Sequence, residues 1–212
     1  MPIPNHPGQC SVGKAICSPM AVVVFLAVAC AGLAADLASK HFVFQRLLES
    51  PAFKQQIDVH RDQTQNLSSK SVLHLASRKV FPGVKFTLST NPGVVFSLPM
   101  PRLLVVLATI VTAGLLFYVF AGSDANANTV HVGLGFILAG AMGNLYDRLW
   151  GMVVVDGFAP IYNEVRDFID CSELHYKWIF NVADVLLVCG VGLLMLHWLI
   201  GSRRPSSVEK QA

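Results

Sequence analysis

Three pairs of polar residues recur at helical spacing in an otherwise apolar chain. Asp36 and Lys40 are four apart, Asn144 and Arg148 four apart, and Asn181 and Asp184 three apart. At those intervals each pair occupies one helix face. Asp167 lies in Val165-Arg166-Asp167-Phe168-Ile169, a carboxylate among apolar residues and close in sequence to Asn181 and Asp184. Two carboxylates in a partly dry site cannot both be cheaply ionised, so they share a proton and titrate as a pair. Such a pair can activate water: one group takes its proton during attack on a peptide carbonyl, and the other protonates the oxyanion or leaving amine. Residue type and position nominate Asp167 and Asp184 for that work. Taken singly, Asp36 with Lys40 also fits a helix-end ion pair, and Asp147 with Arg148 an interfacial anchor.

The elements that must position these groups follow from where charge is missing. The 212 residues are 53% apolar and only 14% charged, with a mean hydropathy of +0.53; a soluble domain carries about 25% charged residues. The stretches from Lys14 to Asp36, Arg102 to Asp124, Asp124 to Asp147 and Asp184 to Arg203 enclose 21, 21, 22 and 18 uncharged residues. About 18 to 20 apolar residues cross a bilayer. The pattern predicts an all-α membrane protein, one domain over residues 1–212, with transmembrane helices at 16–38, 103–121, 129–149 and 181–200. Segments 40–101 and 150–180 remain outside the membrane. The uncharged gap at 86–101 contains Asn91, Pro92, Gly93 and Pro99, whose turn chemistry rules out a fifth span.

Four crossings bring the end of the first helix, the start of the second, the end of the third and the start of the fourth to one membrane surface. All the polar pairs, and Asp147, therefore share that surface. Charges bordering a span are costly and face the protein interior or a water-filled cavity. A proton relay or ion pathway expects carboxylates spread through the membrane depth, whereas these gather at one end.

Alternation of Val84, Phe86, Leu88 and Thr90 with Lys85, Thr87 and Ser89 favours a strand. It leads into an Asn91-Pro92-Gly93 turn and then Val94-Val95-Phe96-Ser97, predicting a small β element on the membrane surface. Residues 45–79 are polar and amphipathic. Between 149 and 180, Asp156, Glu164, Asp167, Asp170 and Glu173 mix with aromatics suited to the headgroup level. A solvated acidic loop is the expectation for most of these acids.

Gly135, Ala139 and Gly143 form a small-residue stripe that permits close helix packing. His131 and His197 have no carboxylate three or four residues away, and the five cysteines include no C-x-x-C pair, so neither a metal site nor a disulfide framework is expected. The net charge of +3 is dispersed, which speaks against nucleic acid. Lys14 and the apolar run to Leu26-Ala27-Val28-Ala29-Cys30 imitate a cleavable signal with a lipobox. Ala27 stands where Leu is usual, however, and the run continues to Ala35, favouring a retained first helix.

Five passages in order resemble the lipoprotein signal peptidase, or signal peptidase II, family. They are Asp36-x-x-x-Lys40; Asn91-x-Gly93-x-x-Phe96-Ser97; Gly143-Asn144-Leu145-Tyr146-Asp147-Arg148; Val165-x-Asp167-Phe168-Ile169-Asp170; and Phe180-Asn181-Val182-Ala183-Asp184. The resemblance implies a four-helix aspartic endopeptidase of the bacterial inner membrane, with a small extracytoplasmic β-cradle and a loop over the active site. It implies cleavage of diacylglyceryl-modified prolipoproteins immediately before the lipidated cysteine, by a catalytic dyad falling on Asp167 and Asp184. Asp36, Lys40, Asn91, Gly93, Asn144, Arg148 and Asn181 would support or contact substrate, and Asp147 would be structural. The expected partners are such prolipoproteins and membrane lipids, with the chain a monomer needing no cofactor or metal.

Two departures accompany the resemblance. The Arg148–Asp167 interval is about ten residues longer than the compact family pattern, and Val153-Val154-Val155-Asp156 imitates the text around Asp167. Gly157 follows Asp156 where the family has Phe, and Asp156 lies 28 residues before Asp184 instead of 17, which favours Asp167. The 45–79 stretch is also long. Charge bias pulls against the implied topology: ten Lys/Arg in 40–101 and 149–180 against four at the termini would put the termini outside. That rule weakens for loops near 60 residues, and the resemblance implies cytoplasmic termini with the active site near the extracytoplasmic face.

Overall fold

Ser18 caps the first long helix, its Oγ accepting from the Ala21 backbone N at 3.4 Å, with Pro19 at the first helical position. The computed structural model describes residues 13–63, 67–93 and 101–201. In chain order its elements are α1 (Pro19–Leu48), α2 (Pro51–Gln63), α3 (Ser69–Leu73), β1 (Ser77–Phe81), β2 (Val84–Asn91) and α4 (Arg102–Gly122). There follow α5 (Asn128–Trp150), β3 (Met152–Val153), β4 (Ile161–Tyr162), β5 (Val165–Asp170), β6 (Ile179–Phe180) and α6 (Val182–Gly201). Helices α1, α4, α5 and α6 are long and apolar enough to cross a membrane. The last three match the expected spans within a residue or so at each end.

Helix α1 instead runs ten residues past the expected end at 38. Asp36 and Lys40 do not terminate it, because they pair with each other inside the protein. The added turns carry Val43, Phe44 and Leu47 into a core shared with Phe53, Val72, Leu73, Leu88, Val153, Val155, Ile161 and Phe168. Both long segments left without a role by the sequence, 45–79 and the stretch after Arg148, thus build one apolar core over the end of α1. They are also stitched directly: Ser69 Oγ donates to Ala159 O at 2.7 Å, and Lys70 pairs with Glu164 at 2.7 Å.

Helix α5 lies between α1 and α6. Its small residues leave no room for larger ones: a Cβ on Gly135 would come within 2.9 Å of Val28, and one on Gly32 within 2.8 Å of the Ala139 methyl. Close approach of this kind is how helices associate where burial from water supplies no drive.

The β structure is larger than expected. Strands β1, β2, β5 and β6 form an antiparallel sheet in that order, and β3 pairs with β4 separately. Strand β2 matches the alternating text, while Val94–Ser97 lies outside the described residues. Strand β1 is exposed along its whole length, so no alternation marks it. Strand β5 is buried at Val165, Asp167, Phe168 and Asp170, so it reads as a mixed apolar run. Phe86 and Phe168 lock the two central strands edge to face, with centroids 5.4 Å apart.

Two further expectations are corrected. Two acids of the supposed solvated loop are largely withdrawn from water and paired, Glu164 with Lys70 and Asp170 with Lys85 at 3.4 Å, whereas Glu173, paired with Lys79 at 2.9 Å, and Asp156 are exposed as expected. Asp170 also accepts from Ser172 N at 2.9 Å, and these contacts outweigh burial and hold its carboxyl below the usual range. Cys17 is disulfide-bonded, where no disulfide was expected.

Candidate active site

Strand β6 ends at Phe180 and α6 begins at Val182, so Asn181 stands where strand becomes helix. It caps the helix reciprocally with Asp184. Asn181 Oδ1 accepts from Asp184 N, and Asp184 Oδ2 accepts from Asn181 N, both at 3.1 Å. Because β5 lies beside β6, with Ile169 opposite Phe180, the antiparallel register carries Asp167 to the start of α6.

Two amides join the two carboxylates. Asn181 Nδ2 donates to Asp167 Oδ1 at 2.6 Å and to Asn144 Oδ1 at 3.2 Å, and Asn144 Nδ2 donates to Asp184 Oδ1 at 2.9 Å. Asp167 is 4% exposed and Asp184 is half-buried. The second oxygen of Asp167 has no hydrogen-bond partner among the described residues. Burial first, and then the charge of Asp184, push Asp167 up to about 8, against the opposing pull of the Asn181 amide and Lys40. Asp184 sits in the first turn of α6 with both oxygens accepting N–H bonds.

Beneath them lies a chain of buried charges. Lys40 Nζ is 2.7 Å from Asp36 Oδ2, 3.0 Å from Asp147 Oδ2 and 3.1 Å from Asn144 Oδ1. Asp36 Oδ1 accepts from Ala183 N at 2.8 Å, tying α1 to the first turn of α6. Asp36, Lys40, Asp147 and Asn181 are fully buried. A Cβ at position 143 would collide with the Asp36 carboxylate, so Gly143 is the space Asp36 fills. On the outer side, Arg148 donates to its own helix at Asn144 O (3.0 Å) and to Gly93 O (2.7 Å). The Asn91 side chain accepts from Gly93 N at 2.9 Å, so Arg148 holds the Asn91–Gly93 turn against α5.

Eight of the residues singled out in the sequence, Asp36, Lys40, Asn144, Asp147, Arg148, Asp167, Asn181 and Asp184, thus form one hydrogen-bonded cluster. Asn91 and Gly93 join it through Arg148. Phe96 and Ser97 lie outside the described residues. Asp156 is exposed in the turn between β3 and β4, apart from this cluster. His131 is buried at the other end of the bundle, 3.2 Å from Ser123 Oγ, and His197 is exposed on α6. Among the described residues, no three His, Cys, Asp or Glu side chains converge on a possible metal position. Sequence reasoning missed Arg166, whose Nε and Nη2 donate to Asp147 Oδ1 at 2.9 and 2.7 Å. A cation inside a buried strand requires an anion, and that requirement was the available signal.

Four apolar helices, closed at one end by amide-bridged carboxylates, define a membrane-embedded protein with an acid–base site at the rim of its bundle. Residues 28–200 match the model of the signal peptidase (SPase) II family, and the chain belongs to that family. It is therefore an enzyme, a peptidase. The chain is 37% identical to the lipoprotein signal peptidase of Aquifex aeolicus and 35% identical to that of Caulobacter vibrioides. Each alignment runs over 142 residues, covering 64% of this chain and 76% of the relative. Among solved structures it shares a fold with one described as a bacterial membrane enzyme solved by the in meso method at 2.3 Å (21% identity, TM-score 0.61, 94% of this chain and 99% of that one). Another, solved by the same method at 1.9 Å, gives 22% identity and a TM-score of 0.56 over 88% of this chain and 96% of that one.

Proposed function

We propose that this peptidase removes the signal peptide from diacylglyceryl-modified prolipoproteins, cutting immediately before the lipidated cysteine, with Asp167 and Asp184 as the catalytic dyad. The observation that carries the reading is the pair itself: a buried, proton-holding carboxyl and a helix-capping carboxylate, joined by the side chains of Asn144 and Asn181. The family membership of the chain supports the substrate class.

The chemistry balances with water alone. Water attacks the scissile carbonyl carbon as Asp184 takes its proton, and Asp167 gives its proton to the carbonyl oxygen, forming a gem-diol. Collapse of the diol breaks the C–N bond. Asp184 returns its proton to the departing nitrogen of the lipidated cysteine, and a diol hydroxyl returns a proton to Asp167. Lys40, Asp36 and Asn144 hold the pair in place, while Arg148 and the Asn91–Gly93 turn face the incoming peptide.

The rim position suits such a substrate. Its signal helix stands in the bilayer beside the bundle, and its acyl chains stay in the leaflet, each buried methylene contributing about 0.8 kcal/mol to docking. The enzyme works as a monomer in the bacterial inner membrane among its lipids, termini cytoplasmic and active site extracytoplasmic. The test is cleavage of a prolipoprotein with and without its diacylglyceryl group by purified protein in detergent, comparing wild type, Asp167→Asn and Asp156→Asn. Cleavage confined to the lipidated form, abolished in Asp167→Asn and retained in Asp156→Asn, is the expected result. A dead Asp156→Asn with an active Asp167→Asn would overturn the dyad.

A further inference from the structure

Asp147 grips residue 166 twice. One oxygen accepts the Arg166 Nε and Nη2 at 2.9 and 2.7 Å, and the other accepts the Arg166 backbone N at 3.1 Å while also holding Lys40. The next residue is Asp167. On one side Val165, Arg166 and Asp167 pair with Asn91, Thr90 and Ser89 of β2, but the register turns irregular just past Asp167. The pairing with β6 on the other side stops at Ile169, so Asp167 is held by a strand on one side alone.

We propose that Arg166 is a positioning residue for peptide hydrolysis: it locks the strand carrying Asp167 to α5 through Asp147 and fixes the separation of the two catalytic carboxylates. The inference rests on the dyad reading above. Two-point, charge-assisted bonding of a guanidinium to a carboxylate is geometrically specific, and misplacing a reacting group by about 1 Å can cost about a hundredfold in rate. Arg166 also compensates Asp147, leaving Lys40 free to be shared with Asp36 and Asn144. Without it, Asp147 would keep Lys40 as its one ion-pair partner among the described residues.

The side chain of Arg166 lines a cavity of about 130 Å³ between α1 and β3. A shorter side chain there leaves space open to water, so Arg166→Gln can be accommodated. Charged groups near Asp167 come from α6 (Asp184), α5 (Asp147 and Arg148) and α1 (Asp36 and Lys40); the paired residues of β2, Ser89 and Thr90, add none. Removing the Arg166 charge exposes Asp167 to a less compensated Asp147, so Asp167 keeps its proton to higher pH.

The experiment measures kcat, KM and the pH profile of Arg166→Gln on lipidated prolipoprotein, with Asp167→Asn in parallel. Expected are a kcat lowered about ten- to a hundredfold, a KM changed less than about threefold, and an alkaline limb displaced upward by about half a pH unit or more. A kcat within about twofold of wild type and an unmoved limb would overturn the proposal. If Arg166→Gln does not purify folded, Arg166→Lys is measured on the same scale, since it keeps the charge and gives up the two-point bond. Lowered kcat in the lysine variant supports the proposal, and wild-type kcat overturns it. Cleavage by Asp167→Asn would instead mean that the dyad reading had failed, whatever Arg166 does.

Discussion

The two ends of the helix bundle solve the problem of closure differently. At one end, Phe25 stacks on Phe120 with centroids 4.3 Å apart, Leu134 fills the space beside them, and His131 is buried against Ser123 and the edge of Phe120. At the other, Asp36, Lys40 and Asp147 are fully buried in one network. Each buried ion carries a desolvation penalty of several kcal/mol, and exchanging a buried ion pair for well-packed apolar residues is often neutral or stabilising. The first end, where Lys14 and Asp124 stay exposed, demonstrates that the described residues can close a bundle without buried ions. The second therefore maintains an arrangement that stability alone does not require, and what the arrangement does is hold Asn144, Asn181 and the two carboxylates in fixed relation.

Breaking the dyad should have the largest effect. Asp184→Asn keeps the shape of the side chain but replaces an acceptor oxygen with a donor, and cleavage should fall at least about a thousandfold while the purified protein keeps its helical circular dichroism. Measurable turnover in a well-folded Asp184→Asn would remove the functional half of the contrast between the ends.

Next comes Lys40→Met, which leaves Asp36 and Asp147 buried with one cation fewer between them. It should cost about 3–5 kcal/mol of stability, read as thermal unfolding in detergent. His131→Leu at the opposite end gives up one hydrogen bond to Ser123 and should cost about 1 kcal/mol. Equal losses in the two variants would mean that the ends do not differ energetically.

Titration sharpens the same comparison. Asp167 holds its proton up to about pH 8, and the proposed mechanism needs that proton, so kcat should fall above pH 8 by about tenfold per unit. With the folded value raised above 3.8, the folded state binds a proton that the unfolded chain releases, so this group favours folding most below pH 4 and loses that contribution as pH rises to 8. A flat kcat from pH 7 to 9.5 would exclude Asp167 as the acid.

The smallest contrast is between two glycines. Gly143→Ala pushes on the Asp36 carboxylate, whereas a methyl at Gly114, on α4, meets nothing within 4 Å. The first should lower activity about tenfold or more through displaced dyad supports, and the second should leave it within about twofold of wild type, both read in the cleavage assay.

Much of this molecule is visible in its linear text. Gaps between charges set the four spans because a bilayer imposes a length on any uncharged helix, and the even number of crossings alone assigned every polar pair to one surface. Helical spacing put Asp36 with Lys40 and Asn144 with Arg148, since those contacts are local. What the text could not reveal depended on partners far away in sequence. Helix α1 continues to Leu48 because its charges are neutralised by α5 and its last turns are covered by two distant segments. Strand β1 has no alternation because its whole length is exposed, and the acids at 164, 170 and 173 have cations brought by α3, β2 and β1 in turn. Arg166 looked like a spacer residue between Val165 and Asp167. Only the docking of β5 beside the end of α5 gives it Asp147, because the energy of a buried charge depends on what surrounds it in space and not on its neighbours along the chain.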